Sequence, residues 1–438
     1  MEVPAIEKQI GIDLYFTDTE GIGGILRQEI DDFIVKEITN RGEGENGKYL
    51  ILELTKRNWD MHHVIRDISR KLGISQKRIG FAGTKDKRAV TIQKIGIYDM
   101  TPQAVEQVRL KDVELKLIGR SNQSVELGDL IGNEFKIIIR DIDLNADELE
   151  ARLTEITDDI LEKRGVPNFF GIQRFGAIRP ITHLVGEAIV RGNLEDAAVT
   201  YISKSFPDEP EEIKLARDYV QSSRDYSEGL KIYPLNLRYE RTMMHHLVTA
   251  PEDFVGSFAL LSRNILKMFV HAYQSYIFNR TLCMRIREGL PLDGAVEGDI
   301  VCFKNKEGLP DTSRTQEVTY ENLDGMNNLI KRGRAFVTAP LVGYDTEFAS
   351  GLPGEIEYRV FGETGIPIES FKVSLMPEMG SKGLRRPILL NANPSFTVSE
   401  DELNPGKTKT VLEFTLPKGS YATTLLREYM KVEPARMS

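Results

Sequence analysis

Alternating hydrophobic and polar positions predict β-strands near both ends of the chain. Residues 31–37, DDFIVKE, and 133–140, NEFKIIIR, are short runs rich in β-branched and aromatic side chains, which is typical of strands. Residues 410–416, TVLEFTL, place apolar side chains at every second position, and this spacing predicts a half-buried strand. A turn and a last helix are expected to follow it.

Apolar residues that recur three or four positions apart predict two amphipathic helices between these strands. The first begins near Asp60 and continues to Leu72, with arginines on its polar side. The second runs from Leu149 to Ile160 and ends before Gly165. The loop NFFGIQRFG therefore leaves the end of a helix.

The length of 438 residues predicts two or three domains. From about residue 185 to 383 the pattern changes to longer helices mixed with Gly/Pro-punctuated strands, which indicates a separate unit. No segment approaches 18 uncharged apolar residues and the first residues do not read as a leader, so a cytoplasmic location without a membrane is expected. Two cysteines without Cys-x-x-Cys spacing indicate neither a disulfide framework nor a metal site.

Charge is distributed unevenly along the chain. The formal net charge is −9, yet residues 56–90 contain ten Lys/Arg against three Asp, a net of +7, which leaves −16 for the rest. A basic patch on an acidic body can draw phosphates to one place. The alternative is an ordinary solvated charged face.

One carboxylate, Asp86, lies inside the basic segment GFAGTKDKRAVT at residues 80–91. The segment is not a phosphate-binding P-loop, because that motif needs Gly-Lys-Ser/Thr in direct succession. If residues 84–88 are extended, Asp86 and Arg88 share one face and the two lysines the other. Asp86 would then stay ionised and could act as a nucleophile or base. The alternative is a structural salt bridge in a tight turn.

The segment NFFGIQRFG at residues 168–176 interleaves three phenylalanines with Asn, Gln and Arg. Such a set can stack on a nucleobase and form hydrogen bonds with its edge. Packing of the phenylalanines in the core is the alternative. Tyr421, after Gly419-Ser420, has a similar ambiguity between a site residue and an anchor for the last helix.

Five segments together resemble the TruD family of pseudouridine synthases: GFAGTKDKRAVT, PNFFGIQRFG, GDLIGNEFKIIIR, AYQSYIFNR and LPKGSYATTLLRE. The resemblance implies an α+β fold in which a pseudouridine synthase catalytic domain has a mixed, largely antiparallel sheet flanked by helices. This catalytic domain would comprise residues 1–189 and 384–438. An inserted α/β TruD domain would occupy residues 190–383.

The resemblance also implies roles for individual residues. Asp86 in GTKDK matches the catalytic aspartate, and Phe170 in NFFG matches the aromatic residue that lies against the target base. Asn168, Phe33 and Tyr421 match positions of the substrate pocket.

Basic residues are implied to support this pocket. Arg27, in GGILRQE, falls where the family often carries lysine, and a supporting role is expected for it. The residues expected to hold the RNA backbone are Lys85, Lys87, Arg88 and Arg174.

The activity implied by the resemblance is isomerisation of uridine 13 of tRNA to pseudouridine, with a flipped-out base and without cofactor, metal or protein partner. Asp86 would either attack covalently or remove a C2′ proton to give a glycal. A rival hypothesis is a non-catalytic RNA-binding protein or RNA chaperone, although a pure binder gains nothing from an acid among phosphate contacts. Another RNA-modifying class, such as a methyltransferase, would need a cofactor loop that the sequence does not contain.

Overall fold

The structure is a computed structural model that describes residues 2–437. The α-helices of this range are α1 Ala5–Gln9, α2 Met61–Leu72, α3 Pro102–Glu106, α4 Ala146–Glu162, α5 Thr182–Val190, α6 Leu194–Ser203, α7 Glu211–Ser223, α8 Tyr226–Ile232, α9 Arg238–Thr249, α10 Phe254–Ala259, α11 Arg263–Arg287, α12 Leu323–Lys331, α13 Gly351–Gly362 and α14 Ala422–Met430. The strands are β1 Ile25–Leu26, β2 Phe33–Ile38, β3 Tyr49–Arg57, β4 Ile79–Phe81, β5 Val90–Tyr98, β6 Val113–Ser121, β7 Gly132–Ile142, β8 Val166–Pro167, β9 Ile300–Lys304, β10 Pro310–Glu317, β11 Ala335–Leu341, β12 Leu384–Pro387, β13 Leu389–Leu390, β14 Ser395–Glu400 and β15 Thr408–Pro417.

The chain forms two compact units. The unit that we call the sheet unit contains residues 17–166, 305–309 and 390–437. The unit that we call the helical unit contains residues 2–16, 167–304 and 310–389. These units are defined by how the chain packs. The boundaries predicted from the sequence, at 189/190 and 383/384, instead separate a catalytic domain from an inserted domain. That functional division stays a prediction.

A mixed nine-stranded sheet forms the centre of the sheet unit. Its main path runs in the order β14-β15-β7-β2-β5-β3-β6, while β1 pairs with β7 and β4 with β5. Only the pair of β2 and β5 is parallel along this path. The α+β class and the mixed, largely antiparallel sheet are therefore confirmed. The predicted terminal strand is β15, and it pairs along the whole of β7, from Thr408 opposite Ile142 to Pro417 opposite Gly132.

Two hydrophobic clusters fix helices to this sheet. In the first, α4 and α14 pack on apolar side chains of β2, β7 and β15, among them Phe33 and Phe135. In the second, α2 packs on the leucines of β3 and the isoleucines of β5. The predicted helix start at Asp60 is confirmed, because its side chain accepts a hydrogen bond from the amide of His63.

The helical unit contains ten of the helices of residues 2–437 and a four-stranded sheet in the order β10-β9-β11-β12. Its core includes residues of α5, α6, α9 and α11. Within it, the buried Arg217 bonds the carboxylates of Glu209 at 2.9 Å and Glu240 at 3.1 Å, so its charge is compensated. No helix in residues 2–437 is long and apolar enough to cross a membrane.

Candidate active site

Asp86 lies on a loop, residues 82–89, that connects β4 to β5. Residues 84–88 form no strand, because the chain leaves the sheet here. Neighbouring side chains still diverge: the Asp86 side chain is 51% exposed, whereas that of Lys85 is 7% exposed and bonds Glu37 Oε2 at 2.9 Å. The loop therefore presents one carboxylate to solvent and turns the adjacent lysine inward.

The cation beside Asp86 is Arg27, which is distant in the sequence. Its Nη2 lies 3.4 Å from Asp86 Oδ1, and its guanidinium covers the ring of Phe33 at 4.0 Å from the centroid. Arg88, the partner suggested by alternation, instead donates to the carbonyl of Arg27 at 2.7 Å. Burial lowers the pKa of Arg27, and the charge of Asp86 opposes that shift.

The backbone of Arg27 is left-handed, with φ of +57°. A non-glycine residue adopts this conformation only where the surroundings impose it, and such residues concentrate at functional sites. Here the Arg27 carbonyl accepts a hydrogen bond from Arg88, and the Arg27 guanidinium lies on the Phe33 ring. Phe33 itself is buried and contacts Phe135 edge-on, with centroids 6.3 Å apart. Its predicted place in the substrate pocket stays a prediction, since the structure places it under Arg27.

Asn168 and Phe170 are brought together within the helical unit. Arg386 donates to Asn168 Oδ1 at 2.7 Å, and its guanidinium covers the Phe170 ring at 4.2 Å from the centroid. The Phe170 backbone is held by Asn279, whose amide group bonds both the N–H at 2.9 Å and the carbonyl at 3.0 Å. Phe170 is only 7% exposed, so it is a packed ring within this unit rather than an open stacking surface.

Two further predicted residues, Arg174 and Tyr421, belong to different units. In the helical unit, the Arg174 guanidinium is 5.7 Å from the Phe170 centroid and donates to Ser275 Oγ at 3.3 Å. In the sheet unit, Tyr421 is half-buried and directly precedes α14. It follows the turn at Gly419, where φ of +78° suits glycine.

The basic patch is smaller at the surface than the sequence suggests. Of its ten cationic side chains, Lys56 is fully buried and Lys85 is paired with Glu37. The exposed cationic residues of this segment are Arg70, Lys71, Lys77, Lys87 and Arg88. Half of the ten cationic side chains in this segment are therefore exposed.

The sequence reasoning missed the residues that hold these groups. Arg386 could have been noticed as the second of two adjacent arginines in a short strand. Glu37 and Lys56 could have been noticed as charged residues in the buried phase of strands. Within residues 2–437, no group of three or more His, Cys, Asp or Glu side chains is arranged to hold a metal ion.

Comparison with known proteins assigns this chain to the tRNA pseudouridine synthases, which are isomerases acting on uridine in tRNA. The family model described as tRNA pseudouridine synthase D (TruD) matches residues 9–429. A relative from Methanococcoides burtonii named "Probable tRNA pseudouridine synthase D" is 67% identical over 436 residues, covering 100% of this chain and 99% of its own. One with the same name from Methanosarcina mazei is 63% identical over 438 residues and covers both chains fully.

A solved structure agrees with these relatives. A crystal structure described as that of a tRNA pseudouridine synthase D (TruD) from Methanosarcina mazei has a TM-score of 0.93 at 63% identity, and both chains are covered to 100%. The chain belongs to the TruD family.

Proposed function

We propose that the protein converts uridine 13 of tRNA to pseudouridine, with Asp86 as the reacting carboxylate and the target uridine flipped out of its stack. The observation that carries the proposal is the exposure of Asp86 on a loop that is otherwise tied down, with Arg27 against one of its oxygens. A reacting carboxylate must be reachable by substrate and held in place, and both conditions are met here.

The reaction is an isomerisation that neither adds nor removes atoms. The N1–C1′ glycosidic bond breaks, the base turns, and a C5–C1′ bond forms; the proton lost from C5 is balanced by one gained at N1. Asp86 serves either as a nucleophile that bonds covalently or as a base that removes the C2′ proton to give a glycal. Both routes use the same carboxylate, so Asp86 is the reacting residue in either case.

Other residues are assigned to holding the flipped uridine. Removing it from its stack costs a few kcal/mol, about 1–3 of which one stacking contact can return. Phe170 is proposed to lie against the base, and Asn168 and Tyr421 are proposed to contact the substrate. Since Arg386 covers the Phe170 ring, the base must displace this guanidinium or share the ring with it. Phe33 is proposed to act through Arg27.

The RNA backbone is proposed to meet the exposed cations near Asp86. Lys87 and Arg88 are exposed on the Asp86 loop, which supports contact with phosphate. Arg174 is assigned to the same role beside Phe170. Lys85 is better suited to anchoring the loop, because its ammonium is already bound to Glu37.

The test is pseudouridine formation on an unmodified tRNA transcript, mapped by position, with wild type and Asp86→Asn. The substitution removes the charge with little change of volume, so we expect no product and unchanged tRNA binding. Asp158→Asn, at an exposed position of α4, is the matched control and should react like wild type. Substantial turnover by Asp86→Asn would refute the assignment. If wild type binds tRNA but forms no product, the RNA-binding hypothesis is favoured instead.

A further inference from the structure

Three buried polar side chains hold successive points of the loop that carries Asp86. Gln93 on β5 donates to the carbonyl of Gly83 at 3.0 Å, and Glu37 on β2 accepts from the Lys85 ammonium at 2.9 Å. Lys56 on β3 donates to the main-chain carbonyl of Asp86 itself at 3.0 Å. We call Glu37, Lys56 and Gln93 the polar floor.

Strand register places the polar floor on one face of the sheet. Gln93 lies opposite Leu54 and Thr91 opposite Lys56, so Lys56 and Gln93 belong to the same face. In the parallel pair Lys36 lies opposite Ile92, which brings Glu37 level with Gln93. This face carries both hydrophobic clusters, one from β2, β7 and β15 and one from β3 and β5. The polar floor therefore interrupts a face that is largely apolar.

The polar floor is costly for folding. Lys56 is fully buried, and both hydrogen bonds of its ammonium go to carbonyls, those of Trp59 at 2.7 Å and Asp86. Burial lowers its pKa to about 8, although the charges of Asp86 and Asp60 oppose this shift. A buried cation without a bonded carboxylate destabilises the fold, so Lys56 contributes little to folding.

Further oxygens of this region are incompletely satisfied. Among residues 2–437, Glu37 Oε1, Thr91 Oγ1 and Gln93 Oε1 are buried without a hydrogen-bond partner. Native cores contain few such atoms, and they concentrate where a strained or polar arrangement serves function. The contacts that Glu37 and Gln93 make with the Asp86 loop thus explain why these polar side chains are buried here.

We propose that Lys56, Gln93 and Glu37 are positioning residues that set the place of the Asp86 carboxylate for reaction. This inference rests on the proposed function of Asp86. Its physical basis is that catalysis is lost when a reacting group is misplaced by about 1 Å, and a loop without regular secondary structure needs external anchors to avoid this. Lys56 is the principal anchor, because it bonds the reacting residue itself.

The experiment compares Lys56→Met, Lys56→Arg and Gln93→Met with wild type in single-turnover reactions on unmodified tRNA. Methionine is as long as glutamine and one atom shorter than lysine, and it cannot donate to the loop carbonyl. We expect the rate at saturating protein to fall at least about tenfold in each, equivalent to about 1.4 kcal/mol, while tRNA affinity and thermal unfolding stay near wild type. Lys56→Arg, which keeps the donors, should recover part of the rate.

The matched control is Lys94→Met, since Lys94 is the next residue along β5, lies on the opposite face and bonds Glu43 instead of the loop. It should react at the wild-type rate. The double variant Lys56→Met/Gln93→Met should lose less than the product of the two single losses, because both act through one loop. If Lys56→Met does not fold, Gln93→Met and Glu37→Gln decide the question. Full rates in folded floor variants would overturn the inference, whereas an active Asp86→Asn would overturn the proposed function.

Discussion

Arg27→Gly should separate the contribution of this side chain to reaction from its contribution to folding. A left-handed φ costs a non-glycine residue about 1–2 kcal/mol, which glycine would not incur. Against this, the variant loses the cation–π contact with Phe33 at 4.0 Å, about 1 kcal/mol, and the buried stem of the side chain. Because these effects oppose each other, we expect the free energy of unfolding in urea to change by less than about 1 kcal/mol.

Turnover of Arg27→Gly should nevertheless decrease. A hydrogen bond to a charged group contributes about 1.5–3 kcal/mol, and the 3.4 Å distance to the exposed Asp86 places this one at the low end. Loss of about 1.5 kcal/mol corresponds to a rate about tenfold lower in single turnover. Arg27→Lys keeps the charge and should stay within about threefold of wild type by the same relation.

Arg224→Gly is the matched control, because Arg224 ends α7 with φ of +56° and lies in the helical unit. It should gain stability from the same relief of backbone strain and leave the rate unchanged. A wild-type rate in Arg27→Gly would refute the claim that the guanidinium acts on Asp86. A loss of more than about 2 kcal/mol in its unfolding free energy would show that the residue is mainly structural.

Two further predictions concern pH and salt. Burial lowers the pKa of His183 to about 4. Near pH 6.5 the unfolded chain therefore binds a proton at this histidine and the folded chain does not. The free energy of unfolding should fall by about 2 kcal/mol between pH 7 and pH 5. Urea unfolding should show this extra loss in wild type and in the exposed control His245→Gln, but not in His183→Phe; equal losses in all three would contradict it. For tRNA binding, Lys87→Gln should reduce the slope of log K against log salt by about one, whereas Lys382→Gln, in the helical unit, should not. Equal slopes would exclude Lys87 from the RNA contact.

The strands and helices could be predicted wherever a residue's neighbours in sequence decide its conformation. The strand predicted at 133–140 is β7, Gly132–Ile142, and its alternation fixes which side chains enter the core. The helix from Asp60 has a capping side chain at its start and Gly73 in the left-handed conformation at its end, both readable from sequence. Strand pairing could not be predicted in this way. The parallel contact of β2 with β5 joins residues far apart in the chain, and no local pattern encodes it.

The site shows the same division. Asp86 was identified from its own segment, but its cation is Arg27, 59 positions away, because the loop does not continue a strand. The alternation of side chains in a strand predicts Arg88 as the partner of Asp86, but Arg88 donates to the Arg27 carbonyl instead. The polar floor did leave a local signal, since Glu37 continues the buried phase of Phe33 and Val35. The role of that charge depends on its contact with Lys85 of the loop, which no local pattern predicts.

Several departures from ordinary folding rules in the sheet unit lie around the Asp86 loop. Arg27 adopts a left-handed backbone, Lys56 is buried as a cation, and one side-chain oxygen each of Glu37 and Gln93 lacks a hydrogen-bond partner. All four residues contact residues 83–88. Each departure costs free energy, and the two hydrophobic clusters on the same sheet face supply the stability that tolerates it. Stability and reaction should therefore respond to different substitutions on this face of the sheet. Truncating a cluster residue such as Leu153 should lower the unfolding free energy and leave the rate at saturation nearly unchanged. Altering the polar floor should lower the rate and leave the unfolding free energy nearly unchanged.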